Sequence, residues 1–193
     1  MATRYFGFAE ETTFGTKAAI ASYLDPIDVK IVSDTGKIFV ETVQNRAAVK
    51  QVDGPFKCAG PISFYVEPEN IAWFLKWALG SVSSLQGDTS GVYKHTFKPA
   101  DTVKSWTGEE GAELFARVYT SCLIDKLTID AVKKEALKGS IDIYAQKEEK
   151  EATLDTPSFS TLAPFVFHQG TITLNGVDES SEVEALSIAL ANN

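Results

Sequence analysis

Hydrophobic and polar residues alternate along most of this chain, and the pattern is clearest in residues 55–80. In 56–66 the apolar residues fall on every second position, which is typical of a strand with one face in a core. The period becomes helical after Pro68, which suits a first helical turn, and it ends at Gly80, which can close a helix in the left-handed conformation. The pattern therefore predicts a strand that leads directly into a helix at about 69–79.

Short strands and loops account for the rest of the sequence. The clearest predicted hairpin joins residues 121–131 to residues 137–145, where Asp125 is an exception on the apolar side. Another hairpin is predicted at 27–43, and further strands are predicted at 92–98, 113–120 and 183–190. The connecting segments are an extended N-terminal arm (about 1–26) and long loops at 81–91, 98–111 and 146–158.

About eight to ten short strands with one helix favour a mainly β fold. We predict a single domain, 1–193, built as an antiparallel β-sandwich or open barrel with one flanking α-helix at about 69–79. A chain of 193 residues is long enough to bury a substantial core. The βαβ pattern of a parallel sheet does not occur in the sequence.

Composition constrains the compartment and the partners. The net charge is −8, and an acidic balance argues against tight binding to nucleic-acid phosphates, which requires clustered Lys and Arg. Cys58 and Cys122 lie in separate predicted strands; two buried thiols in a reducing compartment are favoured, and a disulfide stays an alternative. The most apolar segment, Ile71–Leu79, is too short to span a bilayer. These features predict a soluble protein that is made in a cytoplasm and has no membrane partner.

The sequence contains no recognisable catalytic or metal-binding motif. Neither His95 nor His168 stands at metal-ligand spacing, and phosphate-loop, dinucleotide-binding and nucleophile-elbow motifs do not occur. Adjacent acids such as Glu109 and Glu110 lie in predicted loops, where a solvated surface is the ordinary explanation. We therefore predict that the chain is not an enzyme and that it binds no cofactor and no metal.

The tryptophans are the most conspicuous candidates for contact surfaces. Trp73 and Trp77, one helical turn apart, suit a core or a subunit interface better than a stacking platform for sugars or bases. Trp106 lies in the loop predicted at 98–111. It is either a partner contact or an anchor that folds this loop onto the sandwich.

The order of several short motifs resembles the tail tube proteins of long-tailed bacteriophages. The motifs are E-x-T-x-F-G-T at 10–16, a G-x-[IV]-x-F strand feeding a helix that ends Leu-Gly within 54–81, an aromatic-x-His-x-F-x-P strand end within 92–107, and L-x-I-[DE] followed by G-S-I-D-I. The resemblance follows the chain in order over most of its length.

The resemblance implies a structural virion protein. Such proteins form hexameric rings that stack into a hollow tail tube, in which strands of adjoining subunits form a continuous barrel around the passing DNA. The implied partners are further copies of the chain and other tail proteins, namely the terminator, the baseplate or initiator complex and the tape measure. The implied location is the phage tail, after synthesis in the host bacterial cytoplasm, and the resemblance favours a non-contractile tail.

Residue roles follow from placing the predicted elements in such a tube. The predicted subunit-interface residues are Trp73, Trp77, Trp106 and Phe14. The predicted lumen-facing residues are Glu41, Gln44, Lys50, Lys126, Asp130, Lys138 and Asp142. The arm at 9–22 and the three long loops are candidates for stacking between rings.

Two other function classes fit the sequence less well. One is a monomeric β-sandwich binding module of the carbohydrate-binding or adhesin type, with Trp106 and Tyr93 as stacking groups. The other is a hydrolase that uses a carboxylate pair, which the missing catalytic motifs disfavour.

Overall fold

The computed structural model describes residues 4–40 and 50–192. Within these residues the chain forms sixteen β-strands, one α-helix, α1 (Pro68–Leu79), and a short 3₁₀ helix (Phe167–Gln169). The strands are β1 (Arg4–Glu10), β2 (Ser22–Leu24), β3 (Pro26–Val29), β4 (Val32–Asp34), β5 (Ile38–Val40), β6 (Lys50–Val52), β7 (Lys57–Tyr65), β8 (Gly80–Gln86), β9 (Tyr93–Pro99), β10 (Trp106–Ala112), β11 (Phe115–Val132), β12 (Lys138–Ala145), β13 (Lys147–Glu151), β14 (Thr173–Leu174), β15 (Val177–Asp178) and β16 (Ala185–Ala191).

Ten of the described strands form one antiparallel sheet. Seven of them follow the order β2-β1-β10-β11-β12-β7-β3, and β4, β13 and β16 join it beside this path. Strand β11 has 18 residues and belongs to both halves of this sheet. Its first half pairs with β10 and β13, and its second half pairs with β12 and β16, while β4 joins at β7. Both halves contribute side chains to one hydrophobic core, and the described sheet does not close into a barrel. The prediction of a mainly β, antiparallel fold with one helix is confirmed.

Two irregularities bend β11 between its halves. The first is a bulge between Trp106 and Gly108 of β10, opposite which Ser121 of β11 has a positive φ of 54°. The second, between Ile124 and Lys126, shifts the pairing with β12 and changes which side chains face the core. The predicted β11–β12 hairpin is confirmed, and this second bulge explains why Asp125 breaks the alternation.

Helix α1 covers the core where the two halves of the sheet meet. It begins after Glu67, whose backbone N–H donates to the Asn70 side chain at 3.0 Å, and it ends at Gly80, which has a φ of 95°. The buried ring of Phe74 lies 5.3 Å from that of Phe8 in β1 and 4.8 Å from that of Phe64 in β7. The helix predicted at about 69–79 is confirmed, and it joins both halves through one aromatic side chain.

Several predicted loops are strands instead. The first part of the arm predicted at 1–26 is β1, which lies between β2 and β10 with five of its seven residues buried. The loops predicted at 81–91, 98–111 and 146–158 contain β8, β10 and β13 respectively. Strands β1 and β10 lack a clear alternation because each lies between two neighbouring strands and is buried at successive positions. Strands β8 and β13 are mostly exposed and polar, so few apolar residues mark their period.

The predicted hairpin at 27–43 is also corrected. Strands β3 and β4 do not pair with each other, since both pair with β7. Strand β5 pairs with β6 and forms a separate two-stranded hairpin. Strands β8 and β9 form a second hairpin of this kind beside α1.

Candidate assembly surfaces

The polar face of β11 and β12 brings together four of the predicted lumen-facing residues. Lys126 lies directly opposite Asp142, and Asp130 lies directly opposite Lys138. Ser187 of β16 donates its hydroxyl to Asp130 Oδ1 at 2.5 Å and so extends this polar face by one strand. The four charges cancel, which makes the face neutral in sum and not the acidic lining that a purely repulsive channel requires.

Of the other predicted lumen-facing residues, only Lys50 is described, and it lies elsewhere. Lys50 is exposed on β6, in the hairpin outside the main sheet. Glu41 and Gln44 lie outside the described residues.

Trp77 and Trp106 are core residues, which corrects their predicted role in a subunit interface. Trp77 is 1% exposed and Trp106 is 0% exposed. Their rings stack with centroids 5.0 Å apart and an angle of 6° between planes. Because the chain itself covers both rings, neither offers a surface to a neighbour or to a sugar, and the binding-module alternative loses one of its two stacking groups.

Trp73 and Phe14 lie at the surface, with exposed fractions of 36% and 61%. The Lys76 ammonium lies 5.2 Å from the centroid of the Trp73 ring, a cation–π contact. These two side chains are accessible to a neighbouring subunit, and their place in an interface stays a prediction.

A buried carboxylate within the predicted N-terminal arm holds the bend of the sheet. Glu11 is 4% exposed and accepts hydrogen bonds from Ser105 Oγ at 2.7 Å, Thr107 Oγ1 at 2.9 Å and the Ser121 backbone N–H at 2.8 Å. The Ser121 amide belongs to the bulge of β11, where ordinary strand pairing is interrupted. The Glu11 carboxylate therefore accepts the hydrogen bond of a backbone N–H that the bulge deprives of its partner in the neighbouring strand.

The same network ties the segment after β1 to the sheet. The Gly15 N–H donates to Ser121 Oγ at 2.8 Å, and the Ala18 N–H donates to Thr107 Oγ1 at 3.0 Å. Gly15 has a φ of 80°, a conformation that favours glycine. The structure thus explains why the E-x-T-x-F-G-T motif has a glycine at position 15: the left-handed backbone there lets the Gly15 N–H bond to Ser121 and so attaches the arm to the bend of the sheet.

A second buried acid lies beside β1. Glu109, 2% exposed, accepts a hydrogen bond from Tyr5 Oη at 2.6 Å, and Tyr5 Oη in turn accepts one from the Asp155 N–H at 2.8 Å. Burial raises the pKa of Glu109 above its ordinary value; the Tyr5 hydrogen bond lowers that pKa, and the nearby Asp155 charge raises it.

The raised pKa of Glu109 predicts a measurable pH dependence. The native state binds the Glu109 proton more tightly than the unfolded state, so this group adds stability as the pH falls from neutrality toward its ordinary pKa of 4.5. We expect the free energy of unfolding of the wild type to rise relative to that of Glu109→Gln over this range, as measured by urea unfolding at pH 7, 6 and 5. A constant difference between the two proteins would contradict the assignment.

The two halves of the sheet end in very different edge strands. Strand β13, at the edge of the first half, carries the charged sequence KEEKE, which is the usual protection of an edge against pairing. Strand β16, at the edge of the second half, reads ALSIALA and has no charged residue. Beyond β11, β16 pairs with no other strand among the described residues. Its outer edge, which we call the β16 edge, is therefore open to another chain.

The β5–β6 hairpin is a further exposed apolar element. Ile38, Phe39 and Val52 are more than half exposed, and neither strand pairs with a third strand in the described part of the chain. A two-stranded hairpin is marginally stable in water on its own. This hairpin is therefore suited to becoming covered when copies associate.

The described residues show neither a metal site nor a membrane helix. No group of three or more metal-ligating side chains is found in 4–40 and 50–192, and no helix in these ranges is long and apolar enough to cross a membrane. Cys58 and Cys122 are buried, and each is a free thiol.

The open antiparallel sheet, the unprotected β16 edge and the exposed apolar hairpin provide surfaces for association with other chains. A family model described as phage tail tube protein matches residues 1–193. The chain therefore belongs to the phage tail tube protein family, and it is a viral structural protein of the phage tail. The family is structural in general and not enzymatic. A search of curated protein sequences found no match.

Among solved structures, the chain is similar to chains from three assemblies. The first is from the sheath–tube complex of an extracellular contractile injection system (PVC) in its extended state, with 13% identity, 79% of this chain and 90% of that chain covered, and a TM-score of 0.44. The second is from the tube-terminating cap of the anti-feeding prophage (AFP), with 13% identity, 77% and 88% covered, and a TM-score of 0.43. The third is from the six-fold symmetrised AFP baseplate, with 6% identity, 80% and 96% covered, and a TM-score of 0.44.

Proposed function

We propose that the chain assembles into hexameric rings, and that these rings stack into a hollow tail tube through which phage DNA passes. The observation that carries the proposal, beyond family membership, is the uncharged β16 edge. The second half of the sheet has this edge on one side and the short strands β3 and β4 on the other. Pairing of two different edges is a heterologous contact, which closes into a ring when the rotation permits.

The neutral face of β11 and β12 suits the inner wall of such a tube. Its two lysines stand opposite two aspartates in the strand register, and Lys138 also forms an ion pair with Glu135 at 2.7 Å, so the face offers little net attraction to phosphate. DNA contact with this face is then transient and non-specific. The terminator, the baseplate or initiator complex and the tape measure are the proposed partners at the ends and in the lumen of the tube.

An edge variant tests the ring contact. Ala189→Lys places a charge on β16, and we expect at least a tenfold loss of rings and tubes in negative-stain electron microscopy across a concentration series. Glu149→Lys on β13 is the matched control, because β13 is already charged, and it should assemble as the wild type does. Equal assembly by both variants would contradict the role of the β16 edge. Single subunits at every wild-type concentration, even with a purified initiator complex, would contradict ring formation itself.

A further inference from the structure

A tight turn presents the most exposed large hydrophobic side chain among the described residues. The turn Ala112–Phe115 joins β10 to β11, and Leu114 at its tip is 83% exposed. Glu113 has a positive φ of 54°, and the Leu114 N–H donates to the Ala112 carbonyl at 2.5 Å. A strained turn that holds leucine in solvent is unfavourable for an isolated subunit, because the apolar area stays in water. We call this element the Leu114 turn.

An apolar groove lies at the other end of β11. The groove, here the end groove, has a volume of about 280 Å³ and is lined mainly by Ala131, Leu137, Phe165, Val166, Ile172 and Leu186. Its walls are held by backbone hydrogen bonds, from the Leu137 N–H to the Phe165 carbonyl at 2.8 Å and from the Phe165 N–H to the Val66 carbonyl at 2.9 Å. The volume far exceeds the roughly 30 Å³ that one water occupies, and the apolar lining gives water few partners.

The Leu114 turn and the end groove cannot meet within one subunit. They lie at the two ends of β11, whose 18 residues would span up to roughly 60 Å if fully extended. A knob at one end and a groove at the other form a head-to-tail pair, and a contact of this kind repeats without closing when it adds subunits along one direction. The natural occupant of the end groove is therefore a second copy of this chain.

The charges beside the two elements support this choice of partner. Glu113 adjoins Leu114 at one end, whereas the β11–β12 turn next to Ala131 of the end groove carries Lys133 and Lys134. Glu135 on the same turn forms an ion pair with Lys138 at 2.7 Å. An acid beside the knob and two bases beside the groove are complementary.

We propose that Leu114 of one copy docks into the end groove of another, and that this contact joins successive layers of subunits. The inference rests on the proposed tube, in which this contact connects one ring to the next. It assigns the stacking contact to the β10–β11 turn, which directly follows the segment predicted as the 98–111 loop. Burial of the Leu114 side chain in the end groove stabilises the contact, and the charges of Glu113, Lys133 and Lys134 set the orientation of one subunit relative to the next.

Intermolecular cross-linking tests the contact directly. Leu114→Cys protein is mixed with Leu186→Cys protein under copper–phenanthroline oxidation, while the native Cys58 and Cys122 are 1% and 0% exposed and do not interfere. We expect a covalent heterodimer at least tenfold more abundant than with Leu85→Cys, a control at the 69% exposed Leu85 of β8, mixed with Leu186→Cys. Equal yields from the two mixtures would overturn the proposal.

A substitution at the knob tests its contribution to stacking. Leu114→Asp should raise the protein concentration required for tubes about tenfold or more, a factor that corresponds to about 1.4 kcal/mol, with an unchanged melting temperature because the side chain is exposed. Leu114→Met should stack as the wild type does. Tubes of Leu114→Asp that form at wild-type concentrations would overturn the docking and leave the proposed function intact. A wild type that forms neither rings nor tubes would instead overturn the proposed function.

Discussion

Replacement of Trp77 by alanine is expected to lower the free energy of unfolding by about 3–5 kcal/mol, the usual cost of truncating a fully buried tryptophan. Trp77 is 1% exposed, stacks on Trp106 and contacts Phe8 and Phe74, so that its removal opens a cavity between α1 and the sheet. Its indole N–H also donates to Glu10 Oε2 at 3.2 Å, and after the substitution Glu10 keeps only its ion pair with Lys76. For a chain of this size, the loss corresponds to a fall in melting temperature of roughly 6–20 °C.

Trp73 supplies the matched control, since it is the same residue type one turn earlier on the same helix. It is 36% exposed, and Trp73→Ala should cost about 1 kcal/mol or less in urea unfolding of dilute, unassembled protein. Similar losses for the two variants would contradict the placement of Trp77 in the core. The comparison also separates folding from assembly, because only Trp73 is accessible to a neighbour.

Glu11→Ala is the second substitution with a large expected effect. It leaves the buried donors of Ser105, Thr107 and Ser121 without their shared acceptor. Each buried donor without a partner costs about 1–3 kcal/mol, so we expect a loss of about 3 kcal/mol or more in the free energy of unfolding. Glu11→Gln retains one acceptor oxygen and should fall between the wild type and Glu11→Ala.

The neighbouring Glu10 is the control for this substitution. Glu10 contacts Lys76 and Trp77 with its side chain partly exposed, so Glu10→Ala should cost about 1 kcal/mol. Hydrogen exchange at the Ser121 amide gives a local readout, because that N–H is bonded to the Glu11 carboxylate. If Glu11→Ala leaves both the stability and the exchange of Ser121 unchanged, the carboxylate does not hold the bend.

Elements with a single buried face were predictable from the sequence. The β7 strand, α1 and the β11–β12 hairpin each show the period of their backbone, and the structure places all three where that period predicts them. The helix boundaries follow from Pro68 and Gly80, whose backbone preferences act locally. Four predicted lumen-facing residues also share one face, because side chains of paired strands alternate in step.

The predictions failed where burial depends on distant neighbours. Strand β10 reads WTGEEGA and resembles a polar loop, yet Trp106 and Glu109 are buried in it because β1 and β11 pair on either side. From the sequence alone, a single tryptophan in a polar stretch, here Trp106, can be either a core residue or part of a contact surface. Strand β1 was missed for the same reason.

The sequence by itself determined the mainly β class, the helix and the family, because periodicity and motif order are properties of contiguous residues. Only the tertiary structure decided which acids are buried, which edge is open and which tryptophans are accessible. The partners of Glu11 lie 94 to 110 positions away, and the Leu114 turn and the end groove are related only through the length of β11. These features depend on the pairing of segments that are far apart in the sequence, so they cannot be predicted from the pattern of neighbouring residues.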